Sequence, residues 1–113
     1  MKVEELRIGN FLNYKESEVK FSIEDYREVE HGLLNFMKPI PLTEEWLLKF
    51  GFNESQNAWT IKHFNLLLEY DEDGSYDVMF EYYYISKLKY VHQLQNIYFA
   101  LTYKELKIKE LCS

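Results

Sequence analysis

Between Lys38 and Phe52 the chain reads KPIPLTEEWLLKFGF, and this stretch specifies both ends of a helix. Pro39 and Pro41 hold the approach extended, because a residue preceding proline is excluded from the helical region. Thr43 suits the N-cap, and Glu44 and Glu45 fall in the first turn, where the helix dipole favours negative charge. Leu42 and Leu47 occupy the two staple positions. Gly51 fits the left-handed position after the last turn, with Phe52 placed to pack back on Leu47. The helix is therefore confined to about 43–50, and Trp46, Leu47 and Phe50 form its buried side. A helix this short needs other elements to complete a core.

Those elements read mainly as strands. Leu6, Ile8, Asn10, Leu12 and Tyr14 share one parity, and Val19, Phe21 and Ile23 alternate with polar residues, so two strands joined by a hairpin at Lys15–Ser17 are expected. Val29, His31 and Leu33 extend the alternation to a third. Gly9 inside the first strand points to a bulge or a close backbone approach. Further on, Trp59–Ile61 and Phe64–Tyr70 read as strands, DEDGS as a turn, and Tyr76–Ile85 as the returning strand, with Val78, Phe80, Tyr82 and Tyr84 on one face.

The last regular element lies in KYVHQLQNIYFALTYKEL. Tyr90, Val91, Leu94, Ile97, Tyr98 and Leu101 gather on one side of a helical wheel, giving a helix near 90–101. TYKE, from Thr102, has the form of a capping box, so the chain is expected to break there and continue as a short turn or helix from 103. The alternative is one helix to about 110. The predicted fold is α+β, a single domain over 1–113 with a mainly antiparallel sheet and two helices. A length of 113 residues and twenty aromatic side chains suit one core of that size.

Several functions are disfavoured. The net charge of −6 argues against a general phosphate-backbone binder. No apolar run reaches the roughly 18–20 residues a membrane span needs, and MKVEELRIGN lacks the apolar core of a signal peptide, so a cytoplasmic protein without a membrane partner is expected. Cys112 is the one cysteine, which removes internal disulfides and multi-cysteine zinc sites. His31, His63 and His92 are far apart and lack metal-ligand spacing. In DEDGSYD the glycine falls at the wrong position for a calcium loop. No cofactor, metal or catalytic constellation is expected.

Two surfaces remain for binding. His92, Gln95, Asn96 and Phe99 are spaced i, i+3, i+4, i+7 and align along the last helix as a strip of amides, an imidazole and an aromatic anchor. The bland reading is that its amides cap neighbouring loops while Phe99 packs on a strand. The second surface is the Tyr/Lys-rich C-terminal third, where Lys87, Lys89, Lys104, Lys107 and Lys109 accompany tyrosines able to stack bases. Charge is uneven between Glu69–Asp77, which carries −5, and Tyr84–Ser113, which carries +3. Such asymmetry suits an oriented partner or a homodimer.

The strings PIPLTEEWLLKFGF, KYVHQLQNIYFALTYKEL and ELRIGNFLNY together resemble a group of small uncharacterised proteins of Bacteroides-type bacteria, their phages and mobile elements. The resemblance implies no activity, cofactor or catalytic residue. Tyr103 stands where those proteins often have glycine. The expectation is a non-enzymatic protein-binding adaptor or modulator of phage or mobile-element origin. The alternatives are a nucleic-acid-binding module using the lysines above and a small enzyme with a histidine–carboxylate site assembled across the fold.

Overall fold

A computed structural model of the protein describes residues 3–55, 58–61 and 65–108. The fold is α+β, with antiparallel sheets of three and five strands and few helices. The chain divides into two compact units, one formed by 1–41 with 90–105 and the other by 42–89 with 106–113.

In the first unit β1 (Phe11–Tyr14) lies between β2 (Ser17–Lys20) and β3 (Met37–Pro39). Pro39 sits on an outer strand, where its missing N–H interrupts no ladder. Leu12, Phe21 and Met37 form a buried cluster, with Tyr14, Val19, Leu33 and Leu34 packed around it. α3 (Val91–Thr102) packs on β1 and buries Val91, Leu94 and Tyr98.

Several expectations for this region are corrected. The first strand begins only at Phe11, because Val3–Glu5 forms a 3₁₀ turn and the chain bends before Asn10. The second ends at Lys20 rather than Ile23. Ser22 caps a new helix, α1 (Ile23–Glu28), and its hydroxyl accepts from Asp25 N–H while the Asp25 carboxylate accepts from Ser22 N–H. That reciprocal cap supplies two helix-end partners and overrides the alternation of Val19, Phe21 and Ile23. Residues 29–35 form two 3₁₀ turns around Gly32, at φ 84°, instead of a third strand. Gly9 adopts φ 101° with open space where a Cβ would stand, so the backbone conformation, not a close approach, requires glycine.

The second unit contains α2 (Glu44–Lys49) and a sheet ordered β4 (Asn53–Ser55), β5 (Ala58–Thr60), β6 (Leu66–Tyr70), β7 (Tyr76–Phe80) and β8 (Tyr83–Leu88). α2 follows its sequence signals closely. Thr43 Oγ1 accepts from Trp46 N–H, and Trp46 and Leu47 are buried. Phe52 N–H donates to Leu47 C=O and Gly51 N–H to Leu48 C=O, the paired bonds of a Schellman ending. DEDGS turns as expected, with Gly74 at φ 89°.

The returning strand is not continuous to Ile85. It ends at Phe80, turns through Glu81 and Tyr82 at φ 51° and 74°, and comes back as β8. Two left-handed residues make a tight hairpin whose twist matches the strands, yet neither is the asparagine or glycine such turns favour. Tyr82 therefore stands at a tip, and Tyr84 pairs with Met79 rather than sharing the Val78 and Phe80 face.

α3 ends at Thr102. No helix continues through 103–108, and Tyr103 takes the left-handed C-cap conformation at φ 60°. The capping box expected at TYKE does not start a new helix. Instead Thr102 Oγ1 donates to Tyr98 C=O and accepts from Lys104 N–H, which closes the last turn. Tyr103 is 85% exposed, so its side chain packs little in return for the strain. Tyr103→Gly is expected to stabilise the protein by about 1 kcal/mol, since glycine adopts this conformation without steric cost. Thermal unfolding checks it, and an unchanged or lower midpoint contradicts the assignment.

Candidate functional site

The predicted strip on α3 is turned largely inward. His92 and Gln95 are each 2% exposed, and Asn96 and Phe99 are half-buried. Gln95 Oε1 accepts from Phe11 N–H at 2.8 Å and from Asn10 Nδ2 at 3.4 Å, while Gln95 Nε2 donates to Gly9 C=O at 3.1 Å. Asn96 Oδ1 accepts from Asn10 Nδ2 at 2.9 Å and Arg7 Nη1 at 3.1 Å, and Asn96 Nδ2 donates to Glu5 C=O at 2.7 Å. The Arg7 guanidinium lies 4.1 Å from the Phe99 ring centre and pairs with Glu105. Both amides thus serve the backbone of the N-terminal segment. Arg7, Asn10 and Glu105, which sequence reasoning did not select, complete the network. Their only local signal is polarity; the pairings span more than 80 residues.

His92 differs from its neighbours. Its ring stacks on Tyr90 at 6.0 Å and 14°, and neither ring nitrogen has a hydrogen-bond partner among the described residues. Burial lowers its pKa below the ordinary histidine value, partly opposed by the charge of Glu5. His31 is exposed in the first unit, and His63 lies outside the described residues. No cluster of three histidine, cysteine, aspartate or glutamate side chains suited to a metal occurs among the described residues.

The lysines of the C-terminal third separate. Lys87 Nζ lies 2.6 Å from Asp71, 3.5 Å from Asp77 and 3.7 Å from Asp73. Its bond to Asp71 raises the lysine pKa and lowers that of the carboxylate. Asp73 is also lowered, chiefly by hydrogen bonds from Ser75. Lys87 is thus held by the acidic turn in one corner of the sheet, where three carboxylates face its single positive charge. Lys89, Lys104 and Lys107 are exposed, and Lys109 and Cys112 lie outside the described residues.

The five-stranded sheet carries the most prominent exposed surface. Residues directly opposite in an antiparallel ladder share a face. Trp59, Leu68, Val78 and Ser86 form one inward row, flanked by Leu66, Tyr76 and Leu88, all buried apart from the half-buried Ser86. The opposite face has two rows of different chemistry. Ala58, Glu69, Asp77 and Lys87 form a charged row beside the acidic turn. Thr60, Leu67, Met79 and Tyr84 form a mostly apolar row beside the Glu81–Tyr82 tip. Tyr82 is 98% exposed, and with Thr60, Asn65, Leu66, Leu67 and Met79 it lines a cavity of about 230 Å³. Tyr83, Tyr84 and Ile85 are also exposed along β8. The sequence pattern places Tyr82 within a strand because no glycine, asparagine or proline marks the turn.

No family model, curated protein or solved structure matches this chain. No helix among the described residues is long and apolar enough to cross a membrane.

Proposed function

We propose that the protein is a non-enzymatic binding protein that acts on a protein partner in the cytoplasm, as an adaptor or modulator of phage or mobile-element origin. The observation that carries this reading is the row Thr60, Leu67, Met79 and Tyr84, bordered by the fully projecting Tyr82. Tyrosine offers a large apolar area with a hydroxyl at its end, the combination enriched in protein-binding hot spots. The cavity beside Tyr82 can receive one apolar side chain from a partner. Glu81 and Tyr82 keep left-handed backbone without glycine or asparagine, and strain of this kind persists where a side chain is held out for use.

The contact is the face of the sheet rather than its edge. β8 is an outer strand, but its pairing with β7 shifts between Val78 and Met79. Such an irregularity bends an edge away from the flat ladder that strand addition needs. We therefore favour a different protein over a second copy added through β8. The resemblance to small proteins of Bacteroides-type bacteria, phages and mobile elements makes a host protein the natural candidate.

Affinity capture from host lysate, comparing the wild type with Tyr82→Ser/Tyr84→Ser, tests the reading. Truncating a hot spot removes about 2 kcal/mol or more, so recovery of the specific partner is expected to fall about 30-fold. Both side chains are exposed, and the variant should retain its circular dichroism spectrum. If the folded double variant recovers every partner at wild-type levels, this face is not the binding surface.

A further inference from the structure

The first unit has an outward face of its own, with different chemistry. In the three-stranded sheet Leu12, Tyr14 and Met37 point to the core, so their neighbours Asn13 and Lys38 point the other way. Asn13 and Lys38 are directly paired across β1 and β3. Lys15 follows Asn13 at the hairpin tip, and Phe36 precedes Lys38 by two residues. With Glu16 and Asn35 these residues line a concavity of about 420 Å³, within the size range of small-molecule sites.

Four observations set this concavity apart from ordinary surface. Phe36 is 60% exposed and is one of the lining residues. The side chains of Asn13 and Asn35 have no hydrogen-bond partner among the described residues, whereas Asn10 and Asn96 of the same unit use theirs in the internal network. Lys15 and Lys38 form no ion pair among the described residues. The turn that presents Lys15 and Glu16 is strained as well, with φ of 50° and 68° at two residues that are neither glycine nor asparagine.

We propose that this concavity binds a nucleoside phosphate, either free or as a unit of a single strand. Each group has a counterpart in that ligand. Phe36 offers a stacking platform for a base, and an amide such as Asn13 or Asn35 presents the donor–acceptor pair that matches a base edge. The Glu16 carboxylate accepts from an exocyclic amine, and Lys15 and Lys38 meet the phosphate. The lining carries two lysines and one glutamate, which suits one phosphate and not a long anionic track. This agrees with a chain of net charge −6. None of the lysines of the C-terminal third is among its lining residues.

NMR titration of the whole chain at low ionic strength tests the proposal, following the Asn13 and Asn35 side-chain amides. The probes are the four nucleoside 5′-monophosphates, short single-stranded oligonucleotides, inorganic phosphate and a panel of neutral saccharides. Saturable shifts of both amides with at least one nucleotide are expected. Phe36→Ala should weaken binding about tenfold, the loss of one stacked base. Lys15→Gln/Lys38→Gln should weaken it and flatten its salt dependence. Tighter binding of the oligonucleotides would identify a strand as the ligand; equal binding would identify the free nucleotide. The proposal is overturned if no nucleotide shifts these amides, if phosphate alone binds as well, if saccharides bind in place of nucleotides, or if Phe36→Ala leaves affinity unchanged.

Discussion

Replacing Gln95 with leucine is expected to lower the unfolding free energy by about 3 kcal/mol, because buried groups left without partners cost roughly 1–3 kcal/mol each. The substitution keeps nearly the same volume but removes the acceptor for Phe11 N–H and Asn10 Nδ2 and the donor to Gly9 C=O. Gln95 is 2% exposed, so water cannot readily replace these bonds. The N-terminal segment would loosen from α3, and its amides from Gly9 to Leu12 should lose hydrogen-exchange protection before the rest of β1. Urea denaturation gives the energy and exchange gives the location. A loss below about 1 kcal/mol, the net worth of one ordinary hydrogen bond, would mean that the amide network does not hold the segment.

The second large effect concerns His92 and has the opposite sign. Its ring is buried against Tyr90, with neither nitrogen bonded among the described residues, so neutral pH already carries a desolvation cost. His92→Phe keeps a flat ring for the stack and removes the unpartnered atoms. It should gain about 1–2 kcal/mol at pH 7. The pH dependence follows from the direction of the shift. Burial depresses the folded-state pKa, so below the unfolded value of about 6.5 the unfolded chain binds more protons. The wild type therefore loses His92-linked stability as pH falls from there through the folded pKa. The phenylalanine variant should lack that part of the decline. Parallel acid-side curves for the two proteins would show that the imidazole stays uncharged or is solvated in both states.

How much of this was readable in the sequence depends on the range of the deciding interaction. The cap at Thr43, the Schellman ending at Gly51 and the Asp-Gly turn at Gly74 are settled within a few residues, and each stands where its signals place it. The same local logic finds the end of α3 near Thr102, although Tyr103 rather than glycine fills the left-handed position. Alternation misled where a stronger local device was hidden inside it. Ser22 and Asp25 make a reciprocal cap that starts a helix in the middle of a strand pattern. The Glu81–Tyr82 hairpin was not legible because its residues are ordinary strand formers and polar neighbours, with none of the usual turn chemistry.

The strip on α3 shows the other limit. The periodicity correctly aligns His92, Gln95, Asn96 and Phe99, but it carries no information about what faces them. Their partners are Glu5, Arg7, Gly9, Asn10 and Phe11, more than 80 residues earlier. Long-range register, not composition, decides that two amides become internal fasteners. It also decides that Thr60, Leu67, Met79 and Tyr84, drawn from four strands, form one outward row, in which Tyr84 is exposed and the other three are half-buried.

The most direct test of that row as a protein-binding surface is site-specific photocrosslinking in the host, with a photoreactive phenylalanine at position 84. A second probe at Ile23, exposed in the first unit, serves as the comparison. The binding reading predicts a discrete adduct of one partner from position 84, suppressed by Tyr82→Ser, and none of that species from position 23. No adduct from position 84, or the same adducts from both positions, would contradict it.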